Sequence, residues 1–114
     1  MKHKNELKPA DFQKVELYVG TVETAEVFKE ARNPSYKLVI DFGPMGKRKS
    51  SAQITKKYTP ESLVGQQIVA ILNFAPKQIA NMMSECLVLG AVEADDLVTL
   101  LMPESNVPNG TRIS

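Results

Sequence analysis

One group of side chains that could bind a ligand is strongly basic. Lysine and arginine are dense between positions 47 and 57, and no acidic residue interrupts them. Among the basic residues in the first half of the chain, we expect Lys37, Lys49 and Lys56 to contact a ligand. Such cations bind the phosphates of a nucleic acid. The resulting affinity falls as salt rises and depends little on the nucleotide sequence. The same lysines could instead guard a strand edge against pairing with another sheet, so both interpretations stay open.

A second group offers short polar side chains together with apolar ones. Its polar members are Asn33, Ser51, Gln53, Asn73, Ser84 and Glu85. They could hold RNA bases or a peptide backbone, although asparagine also fixes turns by bonding its own backbone. Phe74, Ile79, Met82 and Met83 could line a pocket for an extended apolar peptide, because methionine adapts to variable ligands. Lys77 would lie at the rim of this pocket. The alternative is that these apolar residues belong to the core.

The residues that enzymes and metal sites need are scarce. The chain has one Cys and one His among its 114 residues, which excludes an intramolecular disulfide and any metal site built on several thiolates or histidines. The sequence contains neither a glycine-rich phosphate loop nor a nucleophile motif. We therefore expect a binding protein without a cofactor or metal, and not an enzyme.

Composition and charge predict a single globular domain with an uneven surface. A chain of 114 residues with 43% hydrophobic residues suits one core. Residues 1–57 carry 12 cations against 7 acids and residues 58–114 carry 2 against 6, so one face can be basic although the net charge is +1. The apolar runs are shorter than the roughly 20 residues of a membrane span, and no signal peptide is visible. We expect a cytoplasmic protein without membrane insertion.

The elements that would carry these side chains are mostly strands. Alternating apolar and polar residues predict strands over 15–22, 36–42 and 47–54, and Gly20 predicts a bulge or bend in the first. Capping by Thr59 predicts a short helix that ends at Gly65. Further strands are predicted over 67–74 and 85–92, and the apolar segment 97–102 follows the second of them, whereas residues 77–81 are too few for more than a helical turn.

Five short strands with a helix between the third and fourth are typical of a small Greek-key barrel. The predicted fold is all-β with a short helix: a five-stranded OB-fold barrel with N- and C-terminal extensions. Residues 1–10 are expected to form a flexible segment and residues 11–114 the domain. The apolar residues after the fifth strand exceed what a minimal barrel needs, which predicts a homodimer interface. Its expected members are Leu7, Phe12, Leu97, Leu100, Leu101 and Met102.

Segments spread along the chain resemble the tRNA-binding domain family. They are VELYVGTV at 15–22, ARNPSYKL at 31–38, SSAQI at 50–54, YTPESLVG at 58–65, NFAPKQIA at 73–80, SECLVLG at 84–90 and VPNGT at 107–111. Within the family the chain looks most like the stand-alone CsaA branch of export-related chaperones. Family members often carry His-Pro where this chain has Asn33-Pro34, and this departure favours the chaperone branch, as does Ser84-Glu85-Cys86.

The resemblance implies a homodimer of OB-fold subunits that binds unfolded or presecretory polypeptides without ATP. The same family also includes stand-alone tRNA-binding proteins that act in trans, which is the alternative function with tRNA as the partner. The resemblance extends from about residue 11 to residue 111, so it implies that residues 11–114 are one tRNA-binding-type domain with a C-terminal dimerisation extension.

Overall fold

The computed structural model describes residues 5–114, which form a mostly β, nearly closed barrel. The described strands are β1 (Leu17–Val27), β2 (Tyr36–Asp41), β3 (Lys47–Ala52), β4 (Gln67–Ile71), β5 (Lys77–Ile79), β6 (Met82–Ser84), β7 (Leu87–Val88), β8 (Gly90–Val92) and β9 (Val98–Leu100). The helices are α1 (Pro9–Gln13) and α2 (Pro60–Leu63), with 3₁₀ turns at Gly43–Met45 and Ala94–Asp96. The main sheet has the antiparallel order β3-β2-β1-β4-β7. This architecture confirms the predicted all-β class and five-stranded barrel.

Strand β1 is long because it pairs with different partners along its length. Residues 17–21 pair with β4, and residues 21–27 pair with β2. The register with β2 shifts between Val22 and Thr24, so the bulge lies there and not at Gly20, where the sequence predicted it. Gly20 is buried at a point where strand β2 packs close to the backbone, and it is a close-approach residue instead.

Helix α2 begins as the sequence predicted. The Thr59 side chain accepts a hydrogen bond from the Ser62 N–H at 3.1 Å, and the Ser62 hydroxyl accepts one from the Thr59 N–H at 3.0 Å. This reciprocal cap pairs two amides that the first helical turn would otherwise leave free. The helix ends at Leu63, two residues before Gly65, which has a φ of 89°. Leu63 is fully buried and anchors the helix to the barrel.

The chain after β4 departs most from the predicted elements. Residues 77–81 do not form a helical turn, because β5 pairs with β6 in a hairpin. The predicted strand over 85–92 is divided into two strands: β7 pairs with β4, whereas β8 pairs with β9 in a separate sheet. A pattern of three residues is compatible with a turn or with a strand. Residues 77–79 form a strand because they pair with residues 82–84.

The larger of the two apolar clusters in the described residues fills the barrel. Its most deeply buried large side chains are Val22, Leu38, Ile40, Phe42, Leu63 and Ile68. Leu100 belongs to the same cluster and is 6% exposed. Its side chain therefore packs inside the barrel of its own chain. The sequence had predicted that it would lie in a dimer interface.

The C-terminal extension runs beside the first strand, and the N-terminal extension contains helix α1. Helix α1 includes residues 9 and 10, the last two of the segment predicted to be flexible, and residues 1–4 lie outside the described residues. Near the C-terminus, the Gly110 N–H donates to the Val19 carbonyl at 2.8 Å, and the Ile113 N–H donates to the Leu17 carbonyl at 2.9 Å. The tail thus extends the sheet along the part of β1 that does not pair with β2.

The Tyr58 hydroxyl joins the loop before α2 to β9. It accepts a hydrogen bond from the buried Leu100 N–H at 2.9 Å. We expect Tyr58→Phe to lower the free energy of unfolding by about 1–3 kcal/mol, because the amide loses its partner. Urea denaturation followed by circular dichroism measures the change. Tyr18→Phe is the matched control, since the Tyr18 hydroxyl makes no hydrogen bond to residues 5–114, and equal losses from the two substitutions would contradict the prediction.

Candidate functional site

An open groove of about 600 Å³ lies between the loop that follows β1 and the hairpin β5–β6. We call it the candidate groove. Eight of its lining residues were singled out from the sequence: Asn33, Ser51, Gln53, Phe74, Lys77, Ile79, Ser84 and Glu85. The others are Ala31, Arg32, Ser35, Ala75, Cys86 and Leu87. The fold therefore brings together residues that are up to 56 positions apart in the chain.

Large apolar side chains remain accessible in the candidate groove. Phe74 is 58% exposed and Leu87 is 48% exposed, while Ile79 beside them is half-buried. Phe74 follows β4 and Leu87 begins β7, so both are presented from the ends of barrel strands. Apolar side chains grouped in a concave surface are typical of a binding site, because a ligand that covers them removes apolar area from water.

The charged residues that line the candidate groove differ in whether they are already hydrogen-bonded within the protein. The Glu85 carboxylate accepts a hydrogen bond from the Lys49 N–H at 2.9 Å, and the Glu85 N–H donates to the Lys49 carbonyl at 2.7 Å. These two hydrogen bonds hold Glu85 against the outer edge of β3. Among the described residues, Arg32 and Lys77 supply the cations of the groove, and both are exposed.

The segment over residues 84–86 closes this side of the barrel. The Ser51 N–H donates to the Ser84 hydroxyl at 3.3 Å, and the Ser50 hydroxyl donates to the Cys86 carbonyl at 3.0 Å. Ser50 is 1% exposed, so its hydrogen bond is made inside the barrel. These contacts hold β3 and the hairpin together at the base of the candidate groove and position the groove's polar residues.

Two of the predicted cations lie away from the candidate groove and have partners of their own. The Lys37 ammonium lies 3.7 Å from a carboxylate oxygen of Glu26 and 5.2 Å from the centre of the Phe28 ring. The Lys56 ammonium donates to the carbonyl of Asp95. Lys49 contributes its backbone to the contact with Glu85, and its side chain does not line the groove.

Asn73 and Met82 also lie outside the groove lining. The Asn73 side chain accepts a hydrogen bond from the Glu16 N–H at 3.0 Å and donates to the Lys14 carbonyl at 2.7 Å. It therefore fixes the entry to β1, which is the structural alternative considered for asparagine. Met82 is 8% exposed and pairs with Ile79 in the hairpin, so the structure buries it instead of placing it in a pocket.

Sequence reasoning did not select Arg32 and Leu87. Arg32 precedes the Asn33-Pro34 turn, and that position beside a turn was the signal available for its exposure. Leu87 lies in the apolar run 86–89, which predicts burial. Its exposure arises because β7 is only two residues long and lies at the end of the main sheet.

Cys86 lies at the wall of the candidate groove, but the residue is buried, with 6% of its surface exposed. Burial raises the pKa of this thiol from 9.0 to about 11. We expect iodoacetamide to alkylate the folded protein at pH 8 about a hundredfold more slowly than the urea-unfolded chain, because the thiolate is the nucleophile. The folded state holds the proton more tightly, so stability should fall as pH rises from 9 towards 11. Equal alkylation rates in mass spectrometry would contradict this.

Two kinds of feature are absent from the part of the chain that the structure describes. No helix within residues 5–114 is long and apolar enough to cross a bilayer. Across the same residues, no group of three or more His, Cys, Asp or Glu side chains is arranged to hold a metal ion.

Sequence comparison identifies relatives along almost the whole chain. The family model described as "Putative tRNA binding domain" matches residues 17–112. The methionine–tRNA ligase of Archaeoglobus fulgidus is 36% identical over 113 residues, which are 99% of this chain and 17% of the ligase. The ligase of Helicobacter pylori is 32% identical over 114 residues, 100% of this chain and 17% of that protein. The chain thus spans about one sixth of these two curated relatives.

Structure comparison identifies proteins that match this chain over their full length. The chaperone CsaA of Bacillus anthracis has a TM-score of 0.92 and 54% identity, and the CsaA chaperone protein of Picrophilus torridus has 0.88 and 45%. The MetRS related protein of Pyrococcus horikoshii has 0.83 and 31%. Each match covers 96% of this chain and 100% of the other. The chain is a CsaA-like protein that belongs to the tRNA-binding domain family, whose model spans most of its length.

Proposed function

We propose that the protein is a CsaA-like chaperone, a homodimer that binds unfolded or presecretory polypeptides in the cytoplasm without ATP. The observation that carries the proposal is the candidate groove, in which Phe74 and Leu87 are exposed side by side with hydrogen-bonding groups. Unfolded chains expose apolar segments together with unpaired backbone groups, and this surface offers partners for both. The similarity to two CsaA chaperones supports the same assignment.

The distribution of cations favours a polypeptide over RNA. Besides Lys37 and Lys56, the Lys47 ammonium is paired, 2.9 Å from a Glu23 carboxylate oxygen. Glu23 raises the pKa of Lys47 through this contact. A cation that already has a partner gains less from a phosphate, so Lys47 and Lys56 are weaker phosphate ligands than the sequence indicates.

The second candidate function is that of a stand-alone tRNA-binding protein acting in trans. It is favoured by Arg32 and Lys77, which line the same groove as the exposed Phe74 ring. A base could stack on the ring while the two cations contact neighbouring phosphates. The match to part of two methionine–tRNA ligases supports this candidate as well.

Self-association is supported by exposed apolar residues in both extensions. Leu7 is 71% exposed, Phe12 39%, Leu101 46% and Met102 40%, while Leu97 is half-buried. A two-fold interface would cover the same residues on both subunits. A dimer would present two candidate grooves, and one extended client that reaches both would bind more tightly than either groove allows.

A parallel titration separates the two functions. The purified protein is titrated with bulk tRNA and with reduced, carboxymethylated α-lactalbumin, each at 20 and 150 mM salt, with and without ATP. We expect it to bind the unfolded protein at both salt concentrations without ATP and to lose tRNA as salt rises. Binding of tRNA that persists at 150 mM salt, with no binding of the unfolded protein, would overturn the chaperone assignment. Sedimentation equilibrium on the same sample tests the dimer.

A further inference from the structure

The barrel has an open seam beside the candidate groove. Closure of this side ends at the hydrogen bond between the Ser50 hydroxyl and the Cys86 carbonyl. Beyond it, residues 51–54 and 87–89 line a cavity of about 470 Å³, and no hydrogen bond joins these two described segments. The seam is continuous with the candidate groove, because Ser51, Gln53 and Leu87 line both.

The hydrogen-bond register shows which backbone groups face the seam. The Leu89 N–H donates to the Val69 carbonyl at 3.0 Å, and Val88 is paired with Ala70 in the same register. Opposite residues of antiparallel strands alternate between bonded and non-bonded pairs. Val88 therefore directs its N–H and C=O away from β4, towards the seam. On the other side, the Ser51 N–H bonds to the Ser84 hydroxyl, so the Ser51 carbonyl lies on the outward edge of β3.

We propose that an extended polypeptide segment pairs with the edge of β7 that faces this seam, exchanging main-chain hydrogen bonds with Val88. The inference rests on the proposed function, because it specifies how the same surface holds its client. An unpaired strand edge accepts almost any extended chain, since it recognises the backbone that all chains share. Recognition of this kind suits a chaperone, which must bind clients of different sequence.

The lining of the seam favours a polypeptide over a nucleic acid. Its floor is apolar, with Ile54 and Leu100 buried and Val98 half-buried. Asp96 is the charged residue among the described residues that line it, and lysine and arginine do not contribute. A phosphate backbone would meet this carboxylate within the lining, whereas the client's apolar side chains would lie on the floor.

Backbone-modified peptides test the seam independently of side chains. The probe is a fluorescein-labelled decapeptide of alternating leucine and serine, with variants N-methylated at the two central leucines or at the two central serines. An extended chain bonds to one neighbour through alternate residues, so either the leucine amides or the serine amides face β7. We expect the peptide methylated on the set that faces β7 to bind at least tenfold more weakly. A peptide methylated at its terminal residue is the matched control, and we expect it to bind like the parent.

Amide hydrogen exchange provides the second measurement. We expect saturating parent peptide to slow exchange of the Val88 amide at least tenfold and to leave Val39, in the middle of β2, unchanged. Parent-like binding of every methylated peptide, with Val88 exchange unaltered, would overturn the seam and leave the proposed function standing. Failure of both the peptide and unfolded α-lactalbumin to bind would overturn both. Protection of Val88 by bulk tRNA would assign the seam to nucleic acid and overturn the inference.

Discussion

Replacement of Phe74 and Leu87 together by serine is expected to weaken binding of unfolded α-lactalbumin by about a hundredfold. Each side chain contributes about 1.5 kcal/mol when a client covers it, and the sum of about 3 kcal/mol corresponds to that factor. Both side chains are about half exposed in the free protein, so their loss should change its stability by about 1 kcal/mol or less. Fluorescence anisotropy with labelled, reduced and carboxymethylated α-lactalbumin measures the affinity.

The matched control replaces two apolar residues of similar exposure outside the candidate groove. Val27 is 57% exposed and Val64 is 48% exposed, and neither lines the groove. We expect Val27→Ser/Val64→Ser to bind within about twofold of the unchanged protein, because these substitutions alter the overall surface hydrophobicity alone. If the control loses as much affinity as the Phe74/Leu87 variant, binding is non-specific and the candidate groove is not the site.

Gly20→Ala is expected to lower the free energy of unfolding by about 2–3 kcal/mol, which corresponds to a melting temperature about 10 °C lower. A Cβ atom at this position would lie 2.7 Å from Cγ2 of Ile40 and 2.7 Å from the ring of Phe42. Both neighbours are fully buried, so neither can move aside without disturbing the core. Differential scanning calorimetry and urea denaturation measure the two quantities.

A double-mutant cycle tests whether crowding is the cause. Phe42→Leu removes part of the ring that the added methyl group would meet. We expect Gly20→Ala/Phe42→Leu to be more stable than the sum of the two single losses predicts, because the second change makes room for the first. Additive losses, or a Gly20→Ala protein within 0.5 kcal/mol of the parent, would show that β1 tolerates a side chain there.

The parts of the fold that could be predicted are those with long, regular patterns. Alternation over residues 36–42 predicted β2, and the Thr59-Pro60 cap predicted α2. The hairpin β5–β6 could not be predicted, because each of its strands has three residues and so few positions do not define a period. The sequence predicted a bulge or a bend at Gly20, but its neighbours Ile40 and Phe42 show that it is a point of close approach.

The candidate groove could be predicted in part. Asn33 and Ser51 were selected as short polar side chains at strand ends and Lys77 as the rim of an apolar pocket, and all three line the groove. Lys56 could not be judged in the same way, since its partner Asp95 lies 39 positions later in the chain. Whether a lysine is free to bind a ligand depends on neighbours that only the folded chain supplies.

The amino-acid sequence by itself determined the class of this protein, which is a β-rich domain that carries the motifs of its family in order. Periodicity and capping are local, so the sequence carries them directly. Only the tertiary structure decided which polar and apolar side chains share the candidate groove, that Leu100 fills the barrel, and that residues 51–54 and 87–89 face each other across a seam. These properties depend on contacts between distant segments, because burial and hydrogen bonding are set by whichever residues the barrel brings together.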